Sequence, residues 1–81
     1  MRNIKMDYAQ RIKDLRTDND KTQKEIAQVL QTTQSYYSQY ENRKMEMPIH
    51  HLITLCRYYN VSADYMLGFT NVCRPLKDHT K

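Results

Sequence analysis

The sequence predicts an all-α fold: a compact domain of five short helices. The 81 residues provide room for one domain with one modest core. The chain has 1 Gly and 2 Pro, which leaves little turn chemistry for a sheet of many strands. Its apolar residues recur at helical spacing in several stretches, each bounded by residues typical of helix ends. Helices joined by short connections account for all three observations.

The first helical pattern runs from about Asp7 to Asn19. Its apolar residues fall at the spacing of one helix face: Tyr8, Ile12 and Leu15. The same spacing places Arg11, Lys13 and Asp14 on the opposite face, which we expect to meet solvent. Asn19 and Asp20 are suitable residues to end this helix.

The second and third helices both begin with a residue that can cap a helix. In Thr22-Gln-Lys-Glu25 the two end side chains can each satisfy an unpaired amide of the first turn, which is a capping box. The short helix that follows turns three apolar residues inward: Ile26, Ala27 and Leu30. After an interruption at residues 31–33, Thr33 can cap a third helix that runs to about Asn42.

Two further helices follow a charged connection at residues 43–47. Pro48 suits the first turn of the fourth helix, because its missing amide donor has no partner there in any case. This helix carries one apolar stripe: Ile49, Leu52, Ile53, Leu55, Cys56 and Tyr59. Ser62 can cap a fifth helix that ends at Leu67, and Gly68 stands where a left-handed residue is wanted.

These elements divide the chain into an N-terminal arm at 1–6, a domain at 7–68 and a C-terminal tail at 69–81. The tail is polar apart from Phe69, Val72 and Leu76, and we expect it to be flexible or to serve as a dimerisation arm. The N-terminus lacks the apolar core of a signal peptide, and no apolar run approaches the ~20 residues that cross a bilayer. We therefore expect a cytoplasmic protein with no membrane association.

The stretch from Thr22 to Lys44 carries the strongest functional signal. Its two short helices are separated by a connection too short for them to run antiparallel, which predicts a helix-turn-helix whose second helix enters the DNA major groove. One arc of that helix holds only amide and hydroxyl residues: Gln34, Ser35, Ser38, Gln39 and Asn42. Such side chains can both donate to and accept from base edges, whereas an ordinary solvated face is rich in charge. The opposite arc holds Tyr37 and Tyr40, expected in the core, and Tyr36 lies at its edge.

Several ordered blocks of the sequence resemble the Cro/lambda-repressor helix-turn-helix family, also called the xenobiotic-response-element type. The blocks are Thr22-Gln-Lys-Glu-Ile-Ala27, Gln34-Ser-Tyr-Tyr-Ser-Gln-Tyr-Glu-Asn42, Pro48 and Asn60-Val-Ser-Ala-Asp-Tyr-Met-Leu-Gly68. The resemblance extends from about Arg11 to Gly68. It implies a lambda-repressor-like domain of five helices, with the helix-turn-helix at the second and third, that binds double-stranded operator DNA, commonly as a homodimer. Binding that overlaps a promoter would exclude polymerase, so we expect a transcriptional repressor. The resemblance and the apolar residues of the last two helices and the tail predict the dimer surface: Ile53, Met66, Phe69, Val72 and Leu76.

The resemblance also implies roles for individual residues. The positions that read or flank bases are Gln34, Ser35, Gln39, Ser38 and Thr33. The positions near the DNA backbone are Gln23, Asn42 and Lys44, to which we add the flanking cations Lys24 and Arg43. Arg16 and Glu41 match a buried ion pair that joins the first helix to the third.

Three positions depart from the family pattern. Gln31 stands where glycine or asparagine often makes the turn, so a strained or altered connection is expected. Arg43 replaces a common glycine after the third helix, and we expect Asn42 to take the left-handed conformation instead while Arg43 reaches a phosphate. Lys21 replaces a frequent leucine, which predicts weaker local packing.

Two other functions stay open. The domain could be an antitoxin or another module that binds a protein partner, using DNA only for autoregulation. It could also be a small metal or redox sensor that uses Cys73 with His50 and His51, although no paired metal-binding spacing is present. Cys56 is expected in the core, and the +4 net charge favours a polyanionic partner. No phosphate loop or nucleophile motif occurs, so we predict no enzymatic activity, no metal and no cofactor.

Overall fold

The computed structural model describes residues 8–70 and contains five helices over that range. They are α1 (Tyr8–Asp18), α2 (Gln23–Val29), α3 (Gln34–Glu41), α4 (Ile49–Tyr59) and α5 (Ala63–Leu67). The predicted all-α, five-helix fold is confirmed, with no strand between residues 8 and 70. The predicted arm and all of the tail beyond Thr70 lie outside the described residues. Between residues 8 and 70, none of the helices has the length and hydropathy that a membrane span requires.

Three helices begin at the caps that the sequence predicted. The Thr22 side chain accepts from the amide of Glu25, whose carboxylate accepts from the amide of Thr22 at 2.8 Å, which completes the capping box. Thr33 and Ser62 cap α3 and α5 in the same way, by accepting from the third amide of each helix. Pro48 stands one position earlier than predicted, because it is the residue before α4 and has an extended backbone.

All five helices end in the same hydrogen-bonded turn, in which one residue takes a left-handed conformation. These residues are Asp20, Gln31, Arg43, Asn60 and Gly68, with φ between 58° and 86°. In each turn the amide of the residue that follows donates to the carbonyl five positions earlier, as Thr32 does to Ala27 at 2.9 Å. The left-handed residue after α3 is Arg43 and not Asn42, whose φ is −92°. The prediction that Asn42 takes the left-handed conformation was therefore wrong by one position. The Lys44 amide donates to the Gln39 carbonyl, and this bond places the left-handed residue at Arg43.

Replacing Gln31 with glycine should stabilise the domain by about 1 kcal/mol. The left-handed conformation costs a residue with a Cβ atom about 1–2 kcal/mol, and glycine avoids this cost. Glycine also raises the conformational entropy of the unfolded chain, which offsets part of the gain. Urea denaturation followed by circular dichroism measures the difference. The matched control is Gln28→Gly, three residues earlier and exposed inside α2, which should lower the stability by a similar amount. A fall in stability for Gln31→Gly would contradict the strain at this turn.

The core lies where α1, α2 and α3 meet the inner faces of α4 and α5. Its members are Ile12, Leu15, Ile26, Ala27, Leu30, Tyr37, Tyr40, Leu52, Leu55, Cys56, Val61 and Met66. Tyr37, Tyr40 and Cys56 are buried as predicted. Two residues of the predicted α4 stripe, Ile49 and Ile53, instead face outward and are 72% and 47% exposed.

Arg11 was predicted on the solvent side of α1, and this prediction was wrong. The side chain is buried, and its guanidinium lies 4.0 Å from the centre of the Tyr65 ring of α5. It also donates to the carbonyl of Thr70 at 3.4 Å. A guanidinium over an aromatic face is attracted by the negative electrostatic potential of that face, so Arg11 holds α5 and the residues after it against α1.

Candidate nucleic-acid interface

Helices α2 and α3 are held at a fixed angle by a four-residue connection. The amides of Gln31 and Thr32 turn back onto the last carbonyls of α2, and Thr33 then caps α3. Ile26, Ala27 and Leu30 on α2 are buried against the same core as Tyr37 and Tyr40 on α3. This arrangement is a helix-turn-helix, and it leaves the other side of α3 uncovered.

The uncovered side of α3 is the polar arc that the sequence predicted. Gln34, Ser35 and Asn42 are exposed, and Ser38 and Gln39 are half-buried. Thr33, just before the helix, is exposed as well. Opposite them, Tyr37, Tyr40 and Glu41 are buried, so the helix presents no charged residue of its own to solvent on this side.

Hydrogen bonds within the arc order some of its side chains and leave others available. The amide nitrogen of Asn42 donates to the Ser38 hydroxyl at 3.2 Å, and that of Gln39 donates to the Ser35 carbonyl at 3.4 Å. The Thr33 hydroxyl is engaged as the acceptor of the helix cap. Within residues 8–70 the side chains of Gln34 and Ser35 form no hydrogen bond, so both can meet an external donor or acceptor without first losing an internal one.

Beneath the arc, the carboxylate of Glu41 holds α3 to α1 and α2. Arg16 of α1 binds it with two parallel bonds, from Nε at 2.7 Å and from Nη2 at 3.1 Å. Gln23 of α2 donates to it at 3.1 Å, and the Tyr37 hydroxyl donates from the preceding turn of α3. Arg16 also donates to the carbonyl of Lys21 at 2.9 Å. The ion pair implied by the resemblance is thus present, within a network that joins three helices.

The environment of this network favours the ionised forms of Glu41 and Arg16. Burial alone would raise the pKa of Glu41, but hydrogen bonds from Arg16, Tyr37 and Gln23 outweigh it and hold that pKa below the usual value. The bond to Glu41 raises the pKa of Arg16 against the opposing effect of burial. Burial and the same carboxylate raise the pKa of Tyr37, which therefore keeps its proton and donates it to Glu41. All four donors thus meet an ionised acceptor.

Three basic side chains lie near the helix-turn-helix in the sequence. Lys24 is exposed in the first turn of α2, and Arg43 and Lys44 are exposed directly after α3. The segment that carries the latter two is tied to α1, because the amide of Met47 donates to the Tyr8 hydroxyl at 3.0 Å. Exposed cations close to an uncharged polar surface favour a polyanionic partner.

The structure offers little support for a metal or redox site between residues 8 and 70. The rings of His50 and His51 lie 4.3 Å apart, but no group of three metal-binding side chains forms within that range. Cys56 is buried, and burial raises the pKa of its thiol, which disfavours the reactive thiolate. Cys73 lies outside the described residues.

Sequence reasoning missed two members of the Glu41 network. Tyr37 was assigned only to the core, although its spacing of four residues from Glu41 could have indicated the contact. Gln23 was predicted only as a phosphate contact, and that prediction did not include the hydrogen bond from its amide nitrogen to Glu41, 18 residues away along the chain. No local pattern of residues could have revealed that second contact.

Comparisons with known proteins agree with this geometry. The helix-turn-helix family matches residues 12–66, more than half of the chain. YobD of Bacillus subtilis (strain 168), named as an uncharacterized HTH-type transcriptional regulator, is 36% identical over 64 residues. That match covers 79% of this chain and 57% of the relative, so the chain spans little more than half of that protein's length. No solved structure matches the chain.

Proposed function

The chain belongs to the helix-turn-helix family of DNA-binding transcriptional regulators, and from this premise we propose that it is a repressor that binds a palindromic operator as a homodimer. The family is typically non-enzymatic, and we assign this chain no catalytic role. The proposed DNA-binding domain is 7–68, and the proposed place of action is the cytoplasm. The observation that carries the proposal is the uncharged, exposed arc of α3.

In this proposal α3 is the recognition helix and lies in the major groove. Its amide and hydroxyl side chains meet base edges, where glutamine can pair with adenine and serine can donate or accept. The residues proposed to read or flank bases are Gln34, Ser35, Gln39, Ser38 and Thr33. Those proposed to contact phosphates are Gln23, Lys24, Asn42, Arg43 and Lys44. The Glu41 network supports this function because it fixes the orientation of α3 relative to α1 and α2.

The homodimer follows from the size of the interface. One recognition helix of eight residues offers too few base contacts for tight and specific binding. Two copies related by a two-fold axis would place their recognition helices about 34 Å apart, in successive major grooves, and would require a palindromic operator. Bound across a promoter, such a dimer would exclude polymerase, which is the basis for proposing repression.

Selection from a pool of random DNA duplexes tests the proposal. We expect the wild-type chain to enrich a palindrome, and we expect the Gln34→Ala, Gln39→Ala variant to lose that preference. The variant should retain salt-sensitive binding to any duplex, because the proposed phosphate contacts remain. The matched control is Gln28→Ala, an exposed glutamine of α2 outside the arc, which should enrich the same palindrome as the wild type.

Other outcomes of the selection would point elsewhere. If the wild type enriches no sequence, the proposal of a sequence-specific regulator is wrong. A module that binds a protein partner then becomes the better hypothesis. If the double variant enriches the same palindrome as the wild type, sequence is read by residues other than the two glutamines. Enrichment of a single half-site with no repeat would contradict the homodimer.

A further inference from the structure

Tyr36 is an exposed aromatic residue on α3 for which the proposal above has no role. Its side chain is 49% exposed, and among the large hydrophobic residues exposed between 8 and 70 it alone lies on this helix. The others lie on α4 or just after α5: Ile49, Ile53, Tyr58 and Phe69. Tyr36 is therefore the apolar surface that would accompany the polar arc into a DNA groove.

The Tyr36 side chain is little used inside the domain. Its backbone amide donates to the Thr33 hydroxyl at 3.1 Å, which holds the first turn of α3. Within the described range its ring pairs with no other aromatic ring and its hydroxyl forms no hydrogen bond. Both parts of the side chain can thus engage an external group without disturbing the fold.

The position of Tyr36 on the helix determines what it can reach. Residues three apart on a helix are separated by about 60° around the axis, so Tyr36 flanks the polar arc on the side of Gln39. Gln34 lies on the other flank of that arc. A residue on the flank of a recognition helix faces the outer part of the groove floor, where the C5-methyl group of a thymine projects towards its own strand. That methyl group is the apolar feature by which thymine differs from the other bases in the major groove.

We propose that Tyr36 determines specificity by packing its ring against a thymine C5-methyl next to the base that Gln39 reads. This inference rests on the proposed function, because it requires α3 to lie in the major groove. It adds an apolar contact to a surface otherwise made of amides and hydroxyls. The operator should then contain, in each half-site, one thymine whose methyl group contributes to binding.

Replacing thymine with deoxyuridine tests the proposal, because the two bases differ only by that methyl group. Each thymine of the selected operator is replaced in turn, and the affinity of the full chain is measured by fluorescence anisotropy. At one thymine per half-site the wild type should bind about fourfold more weakly after replacement, which is ~0.8 kcal/mol for one methyl group. Tyr36→Ala should bind the two duplexes equally well, and Tyr36→Phe should discriminate as the wild type does.

Tyr58→Ala is the matched control, since Tyr58 is a 41% exposed tyrosine on α4. It should keep the fourfold discrimination, and thermal unfolding of every variant checks that the fold is intact. If Tyr36→Ala still discriminates thymine from deoxyuridine, the proposal is wrong. If Tyr36→Phe and Tyr36→Ala weaken binding to all duplexes equally, the hydroxyl holds a phosphate and the proposal is also wrong. A wild type that selects no palindrome would overturn the proposed function, and this inference with it.

Discussion

We expect Glu41→Ala to lower the free energy of unfolding by about 3–5 kcal/mol, the largest effect of any single charged residue of the domain. The Glu41 side chain is 1% exposed, and four donors from three residues converge on its carboxylate. Its removal leaves the guanidinium of Arg16, itself only 14% exposed, without its anion. Since small domains are stable by only 5–15 kcal/mol, such a loss should leave the variant partly unfolded near 37 °C.

Urea denaturation followed by circular dichroism measures this loss. The matched control is Glu46→Ala, which removes an exposed carboxylate from the segment between α3 and α4 and should change the stability by less than about 0.5 kcal/mol. A loss for Glu41→Ala as small as that of the control would mean that the network contributes nothing to the fold.

A second variant separates two quantities: the stability lost when one partner of the ion pair is removed, and the stability that the intact pair contributes relative to apolar side chains. The triple variant Arg16→Met, Tyr37→Phe, Glu41→Leu replaces the charged and hydroxyl groups with apolar side chains of similar size. It should recover more than half of the loss seen in Glu41→Ala, because a buried ion pair stabilises little relative to a well-packed apolar substitute. If the triple variant folds well but selects DNA poorly, the network serves mainly to orient α3.

The sequence predicted best those features that depend on neighbouring residues. The caps of α2, α3 and α5 each need one hydroxyl residue and the amide three positions later, so Thr22, Thr33 and Ser62 could be identified without tertiary information. The polar arc of α3 follows from helical periodicity alone. Both features therefore appear in the structure nearly as predicted.

Predictions failed where a residue's environment comes from distant parts of the chain. Helical spacing alone gave Arg11 a solvent face, but α5 brings the ring of Tyr65 over it. Ile49 fits the apolar stripe of α4 by spacing, but it lies in the first turn of that helix and its side chain remains exposed. The positions of the left-handed residues depend on where each helix stops, and a difference of one residue moves the conformation from Asn42 to Arg43.

Met66 shows the same limitation, with a consequence for the proposed dimer. The sequence placed it with Ile53, Phe69, Val72 and Leu76 on an apolar dimerisation surface. The structure buries Met66 completely in the domain core, whereas Phe69 is 78% exposed. Val72 and Leu76 lie outside the described residues. The prediction for Met66 was therefore wrong, because α5 turns this side chain inward.

Met66→Ala should accordingly lower the free energy of unfolding by about 2–5 kcal/mol, since it leaves a cavity in the core. The matched control, Phe69→Ala, removes an exposed ring three residues later and should change the stability of the monomer by less than about 0.5 kcal/mol. Urea denaturation at two protein concentrations, with light scattering for the molar mass, separates folding from association. If the Met66→Ala variant keeps the wild-type urea midpoint but no longer self-associates, Met66 belongs to the dimer surface and not to the core. If Phe69→Ala alone weakens self-association, the dimer contact lies at the end of α5 and the core of each copy is complete without its partner.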